Sequence, residues 1–264
     1  MRWFVWFVLL AGIFTSDSTK PLASDSNPNS LTTTGTVTAV DDGTTLRLED
    51  GTVLRLAGLL PPQPPLGYTG LWRTAEQARQ VLTQLSLGQP IVFTVTGTDR
   101  WGRRLGTAAL SDGRQIGRSL VVAGWAQVSG LEAISNRDDY LRLEAEARRE
   151  GRGLWSDAYY TIRNAETLPE EMEEMSLGRF LIVEGRVADA TVVRGRAYLN
   201  FGVDWRQDFT ATLSPDARRR FRAAGLDPRD YTDRRLRVRG WLESFNGPMI
   251  EVLSPDQIEV LEDP

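Results

Sequence analysis

The chain contains no cysteine and no histidine. The first absence removes disulfides and zinc–thiolate sites, the second removes imidazole bases, and together they exclude Cys and His nucleophile systems. Carboxylates, arginine, tyrosine and hydroxyls are left to carry any chemistry. Lysine is nearly missing too: of 31 basic residues, only Lys20 is not arginine. A planar guanidinium on every other cation suits bidentate contact with phosphate or carboxylate, although a compositional bias of the genome accounts for the usage equally well. With a formal net charge of −4 over 264 residues, bulk attraction to nucleic acid is not indicated. Long hydrophobic runs are also wanting. The apolar stretch Trp3–Phe14 follows Arg2 and has only twelve residues, too few to span a bilayer as a helix. A Ser/Thr/Asp/Pro stretch follows it, so residues 1–24 read as a signal peptide or, alternatively, an uncleaved N-terminal anchor. The expected location is secreted or periplasmic, with a membrane anchor as the alternative and no transmembrane span in the mature chain. Without a cysteine here, lipid modification is excluded.

With 41% hydrophobic residues, the chain can bury one large core or two smaller ones, and two is the better expectation. From Gly35 to Leu56 short strands alternate with turns. Leu46, Leu48, Leu54 and Leu56 alternate with Arg47 and Arg55, which puts the leucines on the inner face of a curled sheet. A helix is expected where Trp72, Ala75, Ala78, Leu82 and Leu85 recur every three or four residues. Two further strands flank the turn "DRWG", and two helices follow, one ending at Gly124 and one fraying at the glycines of "REGRG". Five strands with interleaved helices suit a small closed barrel of the OB type over residues 33–157. Residues 158–177 collect Glu166, Glu170, Glu171, Glu173 and Glu174 against Arg163, and read as an acidic linker. Beyond Gly178 the order strand, strand, strand, helix, strand, strand restarts, giving a second OB-like barrel over 178–264. The fold class is therefore mainly β with α, two barrels in tandem.

Four stretches of the first region, "DDGTTLRL", "RLAGLLPP", "DRWGRRLG" and "EAEARREGRGLW", follow one another in the order seen in the staphylococcal-nuclease-like (thermonuclease) family, which the segment Gly35–Trp155 resembles. The resemblance implies an OB-type barrel and a calcium-dependent phosphodiesterase, with two carboxylates on calcium, a glutamate as general base and two arginines clamping the phosphate. Arg55 and Arg103 fall on the two clamp arginines. Asp42 matches the first aspartate of the family's "DGDT", but Thr44 stands at the second. Leu60 and Gln63 occupy the aspartate and glutamate positions of "GIDAPE". Calcium takes roughly six to eight oxygens, several of them carboxylate, and a hydroxyl plus a hydrocarbon do not supply them. Gln63 can orient a water but cannot take its proton, which forfeits general-base catalysis worth roughly 10²- to 10⁴-fold. No catalytic residue, no metal ligand and no cofactor is therefore expected. The resulting expectation is a thermonuclease-like fold with a degenerate site, acting as a non-catalytic module that binds nucleic acid, phosphate or protein. The alternative is an active phosphodiesterase with an altered site using Arg55, Arg103, Asp42 and Asp41, so that whether the chain is an enzyme stays open.

Each of these residues also has a structural reading. Arg55 can pair with Asp42 or another acid at the barrel mouth, Arg103 can stabilise the "DRWG" turn, and Trp101 can pack at the rim or stack on a base. In the second region Arg194 and Arg196 flank Gly195 in an expected hairpin loop, with Tyr198, Phe201 and Trp205 close behind. Basic residues interleaved with aromatics suit a single-stranded nucleic acid or nucleotide, while Tyr198 reads as core. The proline-rich loop Pro61–Pro65 reads as a stiff connector, or as a ligand for a protein partner.

Overall fold

The computed structural model describes residues 31–172 and 177–262; the expected signal peptide or anchor lies outside them. The first part is a closed barrel of β1 (Leu31–Asp42), β2 (Thr45–Leu48), β3 (Val53–Leu56), β5 (Pro90–Thr98) and β6 (Arg104–Leu110), joined in the order β1-β2-β3-β6-β5. Only the β3–β6 pair is parallel. Leu46, Leu48, Leu54 and Leu56 are buried, as their period-two spacing requires, and pack with Ile91, Phe93 and Leu110. The short strand β4 (Leu59–Leu60) leaves the barrel to pair with β7 (Gln127–Val128).

Three helices close the barrel: α1 (Arg73–Ser86), α2 (Ile116–Val122) and α3 (Arg137–Arg149). Helix α2 stops at Gly124, where φ is +74° and the Trp125 amide returns to the Leu120 carbonyl. A side chain at Gly124 would also strike the backbone of Arg152 at 2.2 Å, so the turn and the close approach both demand glycine.

The second part repeats the connectivity. It consists of β9 (Phe180–Arg186), β10 (Asp189–Val193), β11 (Arg196–Asn200), β12 (Thr210–Leu213), α5 (Pro215–Ala223), β13 (Arg235–Ser244), β14 (Pro248–Glu251) and β15 (Ile258–Leu261). Strands β9 and β10 are one bent strand interrupted at Val187 and Ala188; one end pairs with β13 and the other with β11. The sheet thus runs β10-β11-β12-β14-β13-β9, with β12 and β14 parallel. The expected last strand is two strands, because Pro255 opens a 3-10 turn capped by Ser254.

The segment expected to be a linker is built into this fold. Within it, β8 (Arg163–Asn164) pairs in parallel with β9, α4 (Leu168–Glu171) follows, and Tyr160, Ala165 and Leu168 are buried. Residues 31–264 accordingly form one compact unit.

The two barrels also share a buried ionic junction. Arg239 on β13 has 0% exposure and donates to the Val128 carbonyl, to both oxygens of Glu144 on α3 (3.3 and 3.1 Å) and to Glu259 on β15. Burial would push the Arg239 guanidinium down, but Glu144 and Glu259 beside it outweigh burial and raise it. From α3, Arg137 reaches the carbonyls of Asp256 and Ile258 at 2.8 and 3.1 Å.

Candidate functional site

The family resemblance directs attention to the mouth of the first barrel, where β1 turns into β2 and β3 runs out towards β4. Asp42 closes the first of these turns. One of its oxygens accepts the amide and hydroxyl of Thr44 at 2.7 and 3.1 Å, and the other accepts the Thr45 hydroxyl at 2.9 Å. Its carboxylate is committed to the turn. Thr44 is 1% exposed, so its hydroxyl faces Asp42 rather than solvent.

Leu60 is 4% exposed, and its backbone is held by Gln127 through the β4–β7 pair. Gln63 is exposed, and its carbonyl accepts from the Tyr160 hydroxyl at 3.4 Å. That hydroxyl in turn accepts from the Trp72 indole at 2.7 Å, and burial raises the pKa of Tyr160 well above its ordinary value. The proline loop is thereby tied to the segment that leads into the second barrel, and lines a small cavity with Tyr159, Tyr160, Arg179 and Trp241.

Arg55 and Arg103 emerge from neighbouring parallel strands: Arg55 stands opposite Leu105, and Arg103 lies two residues before it. Both are engaged. Arg55 donates to Glu132 at 2.8 Å and to the Leu59 carbonyl at 3.3 Å, while the other oxygen of Glu132 accepts the Gly58 amide. Arg103 donates to Asp99 at 2.7 Å. Burial pushes the Asp99 carboxyl up, but hydrogen bonds from Arg103 and from the Trp101 amide prevail and hold it below its usual value. Trp101 is 66% exposed, with the guanidinium groups of Arg100 and Arg103 stacked 4.1 and 5.1 Å from its ring centre.

The sequence suggested Asp42 or another acid as a partner for Arg55; the structure supplies another acid, Glu132, from 77 positions further along the chain. No spacing rule links those two residues. Among the described residues, no group of three or more carboxylates is arranged to hold a metal ion.

On the second barrel, β10, β11, β12 and β14 present an outward face bearing Thr191, Tyr198, Asn200, Thr210, Thr212 and Met249. Trp205 and Phe245 stand at its edge, and together these residues bound a cleft of about 390 Å³. Tyr198 is on this face and not in the core, because it shares a register row with Thr191 and Thr212 while Ala197 and Leu199 point inward. Phe201 goes the other way and packs on Phe209. Trp205 is 48% exposed with Arg206 stacked on it at 4.3 Å. Arg196 is not free for a ligand, being 3.4 Å from Glu251.

Residues 69–157 match the family model described as "Staphylococcal nuclease homologue". A protein of Escherichia coli O157:H7 named "Uncharacterized endonuclease" is 37% identical over 90 residues, which cover 34% of this chain and 54% of that protein. "Protein ParB" of Escherichia coli is 32% identical over 92 residues, covering 32% and 52% respectively. The chain thus spans about half the length of the curated relatives it matches. The matched segment holds α1, β5, the "DRWG" turn, β6 and the helices behind them.

Proposed function

The chain carries a staphylococcal-nuclease-like domain, and we propose that it is a non-catalytic member of that family whose work is binding. One observation carries the reading: the three positions that the motif resemblance assigns to the calcium and general-base carboxylates hold a buried threonine, a buried leucine and a glutamine. The remaining carboxylate, Asp42, accepts three hydrogen bonds from its own turn. This donor set does not suit calcium, which favours several carboxylate and carbonyl oxygens around one centre. Gln63 cannot act as a base at any pH near neutrality. Arg55 and Arg103, paired with Glu132 and Asp99, serve the barrel rather than a phosphodiester.

Binding then passes to the aromatic face of the second barrel, where Tyr198, Trp205 and Phe245 offer stacking surfaces for the bases of a single strand. Arginine 2 and the apolar run after it support export. The decisive experiment is calcium titration together with cleavage of single-stranded DNA by the purified protein. No calcium binding tighter than about 1 mM, the weak end of ordinary protein sites, and no calcium-dependent cleavage are expected. A second reading, a phosphodiesterase with an altered site, is favoured by the word "endonuclease" in the names of two relatives. Calcium-dependent cleavage by the wild type, abolished by Arg55→Ala, would establish it.

A further inference from the structure

Arg179, at the entry to β9, is 8% exposed and has no carboxylate partner among the described residues. Its guanidinium lies flat on the Tyr159 ring, 3.5 Å from the ring centre, which satisfies the face of the cation and none of its in-plane donors. Two of those donors, Nε and Nη2, are buried without a hydrogen-bond acceptor. They are the pair on one edge of the guanidinium, whose N–H bonds run parallel and grip two oxygens of one group.

Arg179 lines the cavity beneath the proline loop. About 20 Å³ is open there, the room of about one water, so a ligand enters only with the oxygens that face Arg179, and a nucleoside is far too large. Among the described residues, the lining contains no aspartate or glutamate. Gln127, also buried, adds an amide to the wall, and Leu60, Pro61 and Trp241 add apolar surface. The nearby Asp157 is occupied, accepting from Thr74 at 3.3 Å and from the Tyr159 amide at 2.9 Å. Burial lowers the pKa of Arg179, and the charge of Arg163 lowers it further. A buried cation left without an anion is costly, by several kcal/mol per uncompensated charge.

We propose that this cavity is a binding site for a small oxyanion, held through two of its oxygens by Nε and Nη2 of Arg179 at the seam between the two barrels. The site is separate from the clamp arginines, and it stands whether or not the first barrel retains catalysis. It draws on residues from both barrels and the segment between them, so an anion bound there stabilises the seam.

The test uses the full chain at constant ionic strength, with phosphate, acetate and chloride as probes in calorimetric titration and thermal melting. Phosphate or acetate should raise the melting temperature and bind at least about tenfold more tightly than chloride, which cannot bridge two donors. Preference between the two names the ligand class: phosphate-bearing or carboxylate-bearing. Arg179→Lys keeps the charge but loses the parallel pair and should weaken oxyanion binding about tenfold, while Arg179→Met should abolish it. Should Arg179→Met fail to fold, Arg179→Lys decides alone. Equal response to all three anions, or oxyanion binding unchanged in Arg179→Lys, would overturn the proposal. So would oxyanion binding seen only when Glu173 and Glu174 are both changed to glutamine, since the chain's own carboxylates would then be the occupant.

Discussion

The two barrels share one strand order and one parallel pair, yet they treat the surface around their strand ends in opposite ways. In the first, the three charged groups that the motifs place at the mouth have partners within the protein: Asp42 in its turn, Arg55 on Glu132, Arg103 on Asp99. In the second, the outward face of β10, β11, β12 and β14 keeps Trp205 and Phe245 exposed, at 48% and 67%, around an open cleft. A shared fold therefore does not fix which side chains stay available at its surface; that is decided by which of them the fold satisfies internally. Internal pairing removes an arginine from the pool available to phosphate, whereas an exposed aromatic ring remains a surface on which another molecule can stack.

The largest effect is expected where the barrels meet. Arg239→Ala would remove the cation that Glu144 and Glu259 share, leaving them Arg148 at 3.7 Å and Arg237 at 3.3 Å, and should cost up to about 3–5 kcal/mol in urea unfolding. The same junction predicts a pH dependence. Burial pushes the Glu259 carboxyl up, but Arg239 outweighs this and holds it below its ordinary value. A depressed carboxyl contributes its stability fully above the unfolded value of about 4.3 and loses it as the pH falls through the folded one. Melting temperatures should therefore fall below about pH 4.3, and less in Glu259→Gln than in wild type. A flat profile in both proteins would show that the junction does not titrate.

Next in size is the second barrel's face. If single-stranded DNA binds there, Trp205→Ala and Phe245→Ala should each weaken it by about 1–3 kcal/mol, measured by fluorescence anisotropy. Arg103→Ala should weaken it less than either, because Arg103 is committed to Asp99. The reverse order would return the ligand to the first barrel and dissolve the contrast between the two.

Placing carboxylates at the motif positions sharpens the same contrast. Thr44→Asp, Leu60→Asp and Gln63→Glu together should give calcium binding in the roughly 10⁻⁴–10⁻³ M range of extracellular modules, and no single change should do so. Calcium binding without cleavage is expected, because Arg55 remains held by Glu132. Adding Glu132→Gln to release Arg55 is then the variant in which cleavage should first appear.

Alternation and turn chemistry made the barrels readable from sequence. Leu46, Leu48, Leu54 and Leu56 point inward because their spacing is two, and Gly124 ends α2 because its backbone must adopt positive φ. The turn that carries Asp42 and Thr44 was readable as well. What occupies the site's surroundings was not. Glu132 meets Arg55, Tyr160 meets the proline loop, and Arg239 meets Glu144 only after the chain has folded, across 77, 97 and 95 positions. The acidic composition of residues 158–177 pointed to solvent, but Ala165 and Leu168, dispersed among the glutamates, bury themselves in the second core. Tyr198 was misplaced because a single aromatic in a strand carries no face label until its register neighbours are known.

The smallest expected effect isolates the link between the junction and the first barrel's mouth. The Tyr160 hydroxyl accepts from Trp72 and donates to the Gln63 carbonyl, so it fastens the proline loop to the segment before β8. In Tyr160→Phe the ring and its packing stay, and only the oxygen goes. The Gln63 carbonyl, in an exposed residue, can turn to water, so its loss costs little. The Trp72 indole is partly buried and loses its acceptor, which places the net cost at about 1 kcal/mol rather than at the full penalty for an orphaned donor. Hydrogen exchange should show faster exchange at the Tyr68 amide, which is bonded to the Pro65 carbonyl within the loop, with no change in β13 of the second barrel. If exchange in the two regions rises together, the hydroxyl supports the whole unit, and the mouth of the first barrel is not separately latched.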